Sequence, residues 1–148
     1  MAISIRPLAK DDKAVWLTLW DGYLQYYRTE LDDGITQTTW DKIMDGASGV
    51  HGIGAIDNKG DMIGFAHYLF HPVTWSNGPR CYLEDLFTAE SGRGKGAGAA
   101  LIKAVAQDAR DNNADQLYWL TESFNERAQA LYDKVATKTH FIKYMKRL

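Results

Sequence analysis

The sequence predicts an α/β sandwich of the α+β kind: a mixed, largely antiparallel central sheet with helices on both faces and one parallel βαβ crossover. Three observations carry this. Val50 to Asp57 and Met62 to Phe70 are apolar runs flanking Asn58-Lys59-Gly60-Asp61, a hairpin turn signal. A third run, Cys81 to Thr88, follows the turn Ser76-Asn77-Gly78-Pro79, making an antiparallel meander. The crossover is Tyr82-Leu83-Glu84-Asp85-Leu86-Phe87-Thr88, a glycine-rich turn, and a helix with Ala97, Ala100, Leu101, Ala104 and Val105 on one face. It returns as a strand at Gln116 to Thr121, a connection that should be right-handed.

The remaining elements follow in order. Ile3-Ser4-Ile5-Arg6 is a short strand stopped by Pro7. Asp11 can cap a helix whose Trp16, Trp20, Tyr23, Leu24 and Tyr27 share a face, a stripe read first as core. Thr38 or Thr39 can start a second helix, through Met44 and ended by Gly46. Asn125 caps a last helix with Ala128, Leu131, Tyr132 and Val135 on one side, and Thr139 to Lys146 reads as a closing strand. With 148 residues and no linker-like stretch, residues 1–148 are expected to form one domain.

Composition excludes several classes. Hydrophobic residues make up 45% and charged residues 24%, ordinary globular values, and the net charge is −2, so nothing global points to nucleic acid. No apolar run approaches the ~20 residues of a membrane span and no signal-peptide core is present, so no membrane partner and a cytoplasmic location are expected. The one cysteine, Cys81, can form no internal disulfide and fits a reducing compartment. His67 and His71 are four apart on a strand and turn, not a helix face, and no third ligand is evident; no metal is expected. No histidine beside Cys81 or a serine forms a nucleophile motif.

The chemistry concentrates in the turn. Gly92, Gly94, Gly96 and Gly98 alternate with Arg93 and Lys95 just before a helix. Exposed backbone N–H groups and the helix dipole favour an anion there, glycine permits close approach, and the cations add charge. A Walker loop requires Ser or Thr after Gly-Lys, whereas Lys95 precedes Gly96. Gly94-x-Gly96-x-x-Ala99 fits a relaxed dinucleotide fingerprint, with Glu122 near the ribose-binding position, but four residues separate strand from glycines and only one βαβ unit is available.

Arg93-x-x-Gly96-x-Gly98, the Tyr82–Thr88 strand and Asn125-x-x-Ala128-x-x-x-Tyr132 together resemble the acetyl-CoA site of the GNAT acetyltransferases. Within that family, Gly64-Phe65-Ala66 through Thr74-Trp75 and the Leu-Glu-Asp-Leu strand are similar to diamine (spermidine/spermine) N-acetyltransferases. Tyr118-Trp119-Leu120-Thr121 with Asn125, Arg127-Ala128-Gln129 and Leu131-Tyr132 resembles the yeast histone/polyamine and D-amino-acid acetyltransferase group more closely. One departure stands out: Val135-Ala136-Thr137 lacks the glycine usual after the last helix, which puts a left-handed turn there in doubt.

The resemblance implies acetyl-CoA as acetyl donor and direct transfer to a primary amine: a polyamine, an amino acid or a lysine-bearing peptide. It implies coenzyme contacts at Leu86, Phe87, Thr88, Arg93, Gly94, Lys95, Gly96, Ala97, Gly98, Ala99, Asn125, Ala128 and Tyr132. Glu84 matches the base and Tyr132 the acid that protonates the leaving thiolate, while Tyr27, Glu30, Glu84 and Trp119 fall on the amine side. Tyr26, Asp32, Asp33 and Glu122 extend a possible aromatic wall and acidic rim. A homodimer is implied by the yeast relatives. By strand alternation Asp85 faces away from Glu84, so only one of the two can reach a cleft unless the strand bulges. A core role for Tyr132, a capping role for Asn125 and a solvated-edge role for Glu84 stay open, as do a nucleotide-binding module and a catalytically silent acyl-CoA sensor.

Overall fold

The computed structural model describes residues 2–148. Five strands lie in the order β1-β2-β3-β4-β5: β1 Ser4–Pro7, β2 Val50–Ile56, β3 Met62–His71, β4 Arg80–Thr88 and β5 Leu117–Tyr118. The first three pairings are antiparallel and β4 pairs β5 in parallel. The helices are α1 Lys13–Tyr26, α2 Asp33–Met44, α3 Ala97–Asp111 and α4 Glu126–Val135. With one parallel pair the sheet is not doubly wound, and the dinucleotide reading lacks its fold.

Each sheet face carries its own core. Towards α3, the small and aliphatic residues Ala97, Leu101, Ile102, Val105 and Ala109 pack on Ile53, Ala66, Cys81 and Leu83, with Leu131 and Tyr132 of α4 at the margin. Towards α1 and α2 the packing is aromatic: Trp16, Trp20, Trp40 and Phe65, with Tyr23 and Phe87 beside them. Trp16 and Trp20 stack with ring centroids 5.5 Å apart, and Trp40 tilts onto Trp16 at 5.0 Å. The stripe read from the sequence is therefore core for most of its length.

Several boundaries differ from the sequence reading. A single helical turn, Lys10–Asp12, precedes α1, and Asp12 holds the entry instead of Asp11: it accepts from the Ala9 N–H at 2.7 Å and from both Arg6 guanidinium nitrogens. That ion pair holds the Asp12 carboxyl below the usual carboxylate range. Helix α2 starts at Asp33, five residues before Thr38, because the Asp32 carboxylate accepts from the Gly34 N–H at 2.7 Å and supplies the cap.

Two corrections concern the second half. The strand expected over Gln116 to Thr121 is reduced to Leu117–Tyr118, since β4 diverges beyond Tyr82 and leaves Trp119 onward without a ladder partner. The closing strand expected over Thr139 to Lys146 is not formed: those residues are exposed and unpaired, Phe141, Ile142 and Tyr144 among them. Aromatic and β-branched residues make a segment competent to pair, but a strand forms only where the segment lies along a sheet edge. Helix α4 solves its missing glycine differently. Ala136 is extended, at φ −152°, and its N–H still reaches the Tyr132 carbonyl, so no left-handed residue is required.

Candidate active site

The site begins with a bulge in β4. Leu83 pairs with Tyr68 and Asp85 with His67, so Glu84 is the extra residue of the strand. A bulge reverses the side-chain phase beyond it and sharpens the local twist. Cys81 and Leu83 accordingly point into the α3 core, while Asp85 meets the α1 side and Leu86 returns to the α3 face. Glu84 and Asp85 are separated as the sequence reading expected, but by a bulge instead of simple alternation. It also falls just beyond Tyr82, the last β4 residue paired to β5, so the β5-facing edge from Leu83 to Thr88 is open.

Beside that edge lies a narrow cleft lined by Tyr23, Tyr27, Leu83, Glu84, Leu86, Trp119, Leu120 and Tyr132. It gathers Glu84, Leu86, Tyr27, Trp119 and Tyr132, proposed from the sequence, in one place. Trp119 and Tyr132 meet edge to face at 5.3 Å, and Tyr27 stands edge-on to Tyr23 at 5.0 Å. Glu84 is exposed, walled on one side by the cleft. That partial burial and the charge of Asp85 raise its carboxyl above the ordinary range, with the Lys42 ammonium pulling the other way. Burial raises the Tyr132 hydroxyl, and it pushes Tyr27 up to about 12, so both phenols hold their protons at neutral pH.

The glycine turn follows β4 at the same end. Glu90–Gly92 form one helical turn, then Gly94 and Gly96 adopt φ of 77° and 82°, left-handed values that glycine reaches without strain. A side chain at either would project into open space. Gly96 precedes α3, whose first turn no side chain caps, leaving the donors of Ala97, Gly98 and Ala99 for an outside acceptor. Among the described residues neither Arg93 nor Lys95 forms an ion pair. Gly98 serves packing as well, its Cα facing Leu131 of α4 so closely that a Cβ would lie 3.2 Å from that side chain.

Other expected residues are placed less directly. The Asn125 side chain accepts from the Ala128 N–H at 3.2 Å, so its carbonyl oxygen caps α4. Phe87 packs in the aromatic core and Thr88 pairs with Gly64 at the strand end, both next to the turn. Glu30 and Tyr26 are exposed at the end of α1, and Asp32 is committed to capping. A roomier hollow of about 320 Å³, between Phe70, His71 and Pro79, sits at the other end of β3 and β4. It is remote from the glycine turn.

Sequence reasoning missed a buried polar chain behind Glu84. Asp85 accepts from the Tyr23 hydroxyl at 2.6 Å, and its other oxygen lies 2.9 Å from His67 Nδ1. His67 is only 1% exposed, and its Nε2 accepts from the Trp16 indole N–H at 3.0 Å. Because an indole can only donate, the ring proton of His67 sits on Nδ1 and points at Asp85. Pairing of Asp85 with His67 across β3 and β4 was the usable signal, visible only once the bulge set the register. Cys81 is fully buried, and burial pushes its thiol up to about 12. Among the described residues no three metal-ligating side chains converge, and no helix is long and apolar enough to cross a membrane.

A mixed sheet splayed beside an open strand edge, with a glycine turn feeding a helix N-terminus at its end, makes a site for an extended ligand that carries an anionic group. The sequence profile described as the Acetyltransferase (GNAT) family matches residues 13–136, and the chain belongs to that family. It is an N-acetyltransferase. It is 36% identical over 143 residues to the D-amino-acid N-acetyltransferase HPA3 of Saccharomyces cerevisiae (strain ATCC 204508 / S288c), covering 96% of this chain and 89% of that protein. It is also 38% identical to the Thialysine N-epsilon-acetyltransferase of Bos taurus, over 48% of this chain and 41% of the relative. Among solved structures, a ribosomal-protein-alanine N-acetyltransferase from Brucella melitensis biovar Abortus 2308 superposes with a TM-score of 0.82, at 20% identity and 100% coverage of both chains. The structure of AAC(6')-Iy with a CoA-linked bisubstrate analogue does so at 0.79, with 23% identity and full coverage of both. Both show the same fold.

Proposed function

We propose that this enzyme transfers the acetyl group of acetyl-CoA directly to the primary amine of an amino acid or of a lysine-like or polyamine chain. The observation that carries the reading is the bulge: it opens the β4 edge and places Glu84 in the same cleft as Tyr132. The glycine turn with Arg93 and Lys95 takes the pyrophosphate, and Gly94 to Ala99 supply the donors. The open backbone of Leu86, Phe87 and Thr88 pairs with the pantetheine arm. Asn125 and Ala128, at the start of α4, border the thiol end.

An alkylamine of pKa about 10.4 is free base in only about one molecule in 2,500 at pH 7, a shortfall of roughly 4.6 kcal/mol. Glu84, made more basic by its surroundings, accepts the ammonium proton directly or through water. The freed nitrogen attacks the thioester carbon, a backbone N–H near Leu86 polarises the carbonyl, and the C–S bond breaks. Tyr132, held protonated by burial, gives its proton to the departing thiolate, and the second proton shed by the acylated nitrogen restores the phenol through water. Tyr27, Trp119 and Glu84 surround the incoming cation, an arrangement that suits an ammonium group; Glu30 lies further out, on the rim.

The D-amino-acid and thialysine specificities in the names of the relatives support an amine on an amino-acid-sized molecule. Thiol release from acetyl-CoA, screened over amino acids of both configurations, lysine analogues, polyamines and lysine peptides, tests the class. Preference for an anionic acceptor or a neutral arylamine refutes it. Gly96→Asp, which fills the cradle with a carboxylate, should abolish acetyl-CoA binding by calorimetry while the fold survives. Retained affinity in the folded variant overturns the assignment of the pyrophosphate to this turn. The partner we assign is a second copy: residues 137–148 are exposed and carry Phe141, Ile142, Tyr144, Met145 and Leu148 outside the sheet. Light scattering should give a dimer at micromolar concentration, and a monomer with and without acetyl-CoA overturns this.

A further inference from the structure

Behind the cleft, four side chains from three elements form one hydrogen-bonded line: Trp16 and Tyr23 of α1, His67 of β3 and Asp85 of β4. Their donors all run towards Asp85. Trp16 donates to His67, His67 donates to one carboxylate oxygen, and Tyr23 donates to the other. No buried side-chain nitrogen or oxygen among the described residues is left without a partner. A chain of this kind inside an aromatic core is costly to break, because each broken bond strands a dehydrated polar group. Only Tyr23 also lines the cleft.

The position of this line matters more than its strength. Asp85 is the first residue beyond the bulge, and Leu83, the last before it, is anchored in the α3 core at 2% exposure. With Leu83 fixed on one face and Asp85 on the other, Glu84 is left at the phase break, its side chain in the cleft. We propose that Asp85, pinned between Tyr23 and His67, is the positioning residue for Glu84: it locks the bulge in the phase that presents this carboxylate to the substrate. Asp85 makes no substrate contact in this scheme. The inference rests on the proposed role of Glu84 and deepens it.

The test separates positioning from mere stability and from failure of the base assignment. Tyr23→Phe removes one hydrogen bond to Asp85 with no change of charge and little change of volume; Asp85→Asn keeps the shape and removes the charge. Each should lower kcat/KM about tenfold or more, as loss of an orienting partner does, with acetyl-CoA affinity unchanged. In a Glu84→Gln background the same changes should cost almost nothing further, since they act through Glu84. Losses that repeat in full in that background, or wild-type kcat/KM in both single variants, overturn the proposal. Should Asp85→Asn not fold, Tyr23→Phe completes the cycle alone.

A second reading does not depend on turnover. The Glu84 carboxyl, followed by carbon-detected NMR titration, faces Asp85 and Tyr82 from β4, His67 from β3, Lys42 from α2, Tyr23 and Tyr27 from α1 and Tyr132 from α4. With the lock loosened by Tyr23→Phe, it should titrate lower than in the wild type, although no charge has been altered. An unchanged titration overturns the lock. If Glu84→Gln turns over normally, the base assignment fails, and the titration alone decides whether Asp85 positions Glu84.

Discussion

The two halves of β4 are one strand with two fates. Before the bulge, Cys81 and Leu83 are buried in the α3 core, and Cys81 and Tyr82 are paired on both sides, to β3 and β5. After it, Leu86 to Thr88 are paired only to β3, half-buried, and followed by the glycine turn. The first half has its backbone donors and acceptors consumed by the sheet, so its side chains serve stability. The second half keeps one edge unpaired, which a sheet normally covers, and that edge is what a ligand can use. Mutations in the two halves should therefore separate into losses of folding and losses of turnover.

The largest effect should come from the functional half's partner across the cleft. Tyr132→Phe removes the proposed acid, and general acid catalysis contributes roughly 10²–10⁴-fold, so kcat should fall by that factor with acetyl-CoA binding intact. Tyr132 also packs at the edge of the α3 core, where it touches Trp119. If packing is its whole role, the variant melts earlier and turns over almost normally, and the division between the halves fails at this residue. A melting curve and steady-state kinetics on one preparation decide between them.

Glu84→Gln should come next, and its size should depend on pH. With the proposed base gone, only amine already deprotonated by solvent can react. The defect in kcat/KM should be greatest well below the amine pKa and shrink as pH rises towards about 10.4, where free amine becomes abundant. A defect constant from pH 6 to 10 would remove Glu84 from proton transfer.

The sequence was informative where a local rule sufficed and silent where the partner was distant. The hairpin at Asn58–Asp61, the glycine turn and the Asn125 cap depend on residues within a few positions, and each is found as expected, with Gly60 at φ 87°. The cleft residues Glu84, Trp119 and Tyr132 were legible through the motifs that hold them, and Tyr27 because it ends the aromatic stripe of α1. Asp85, His67 and Tyr23 were not, because their roles depend on a bulge that pairing alone reveals. Phe141 to Met145 mislead in the opposite sense: the local pattern is that of a strand, yet the segment is exposed and pairs with no strand of this chain.

In the structural half, Cys81→Ala should cost stability instead of catalysis. Cys81 is fully buried in the α3 core with Leu101 and Val105 and is paired on both sides, and a substitution at such a site costs about 1 kcal/mol. Chemical denaturation should show the loss, while kcat per folded molecule stays within a few-fold of wild type. A large fall in kcat with unchanged stability would show that the paired half also tunes the site.

The smallest effect tests a turn far from β4 whose sequence departs from the family. If α4 needed a left-handed residue after Val135, Ala136→Gly would relieve strain and stabilise the protein. The geometry predicts the opposite sign. Ala136 is extended at φ −152° and ψ −178°, a conformation alanine adopts freely, and its N–H is already bonded to Tyr132. Glycine there gains nothing in the folded state and enlarges the conformational freedom of the unfolded chain. The replacement should lower stability by about 0.4–1 kcal/mol. For a domain of this size that is a fall in Tm of roughly 1–4 °C. Because Tyr132 sits four residues before the turn, its kinetics should not move. A rise in Tm would mean that the helix ends in solution with a left-handed cap, and that the extended exit leading to the exposed tail is not its resting conformation.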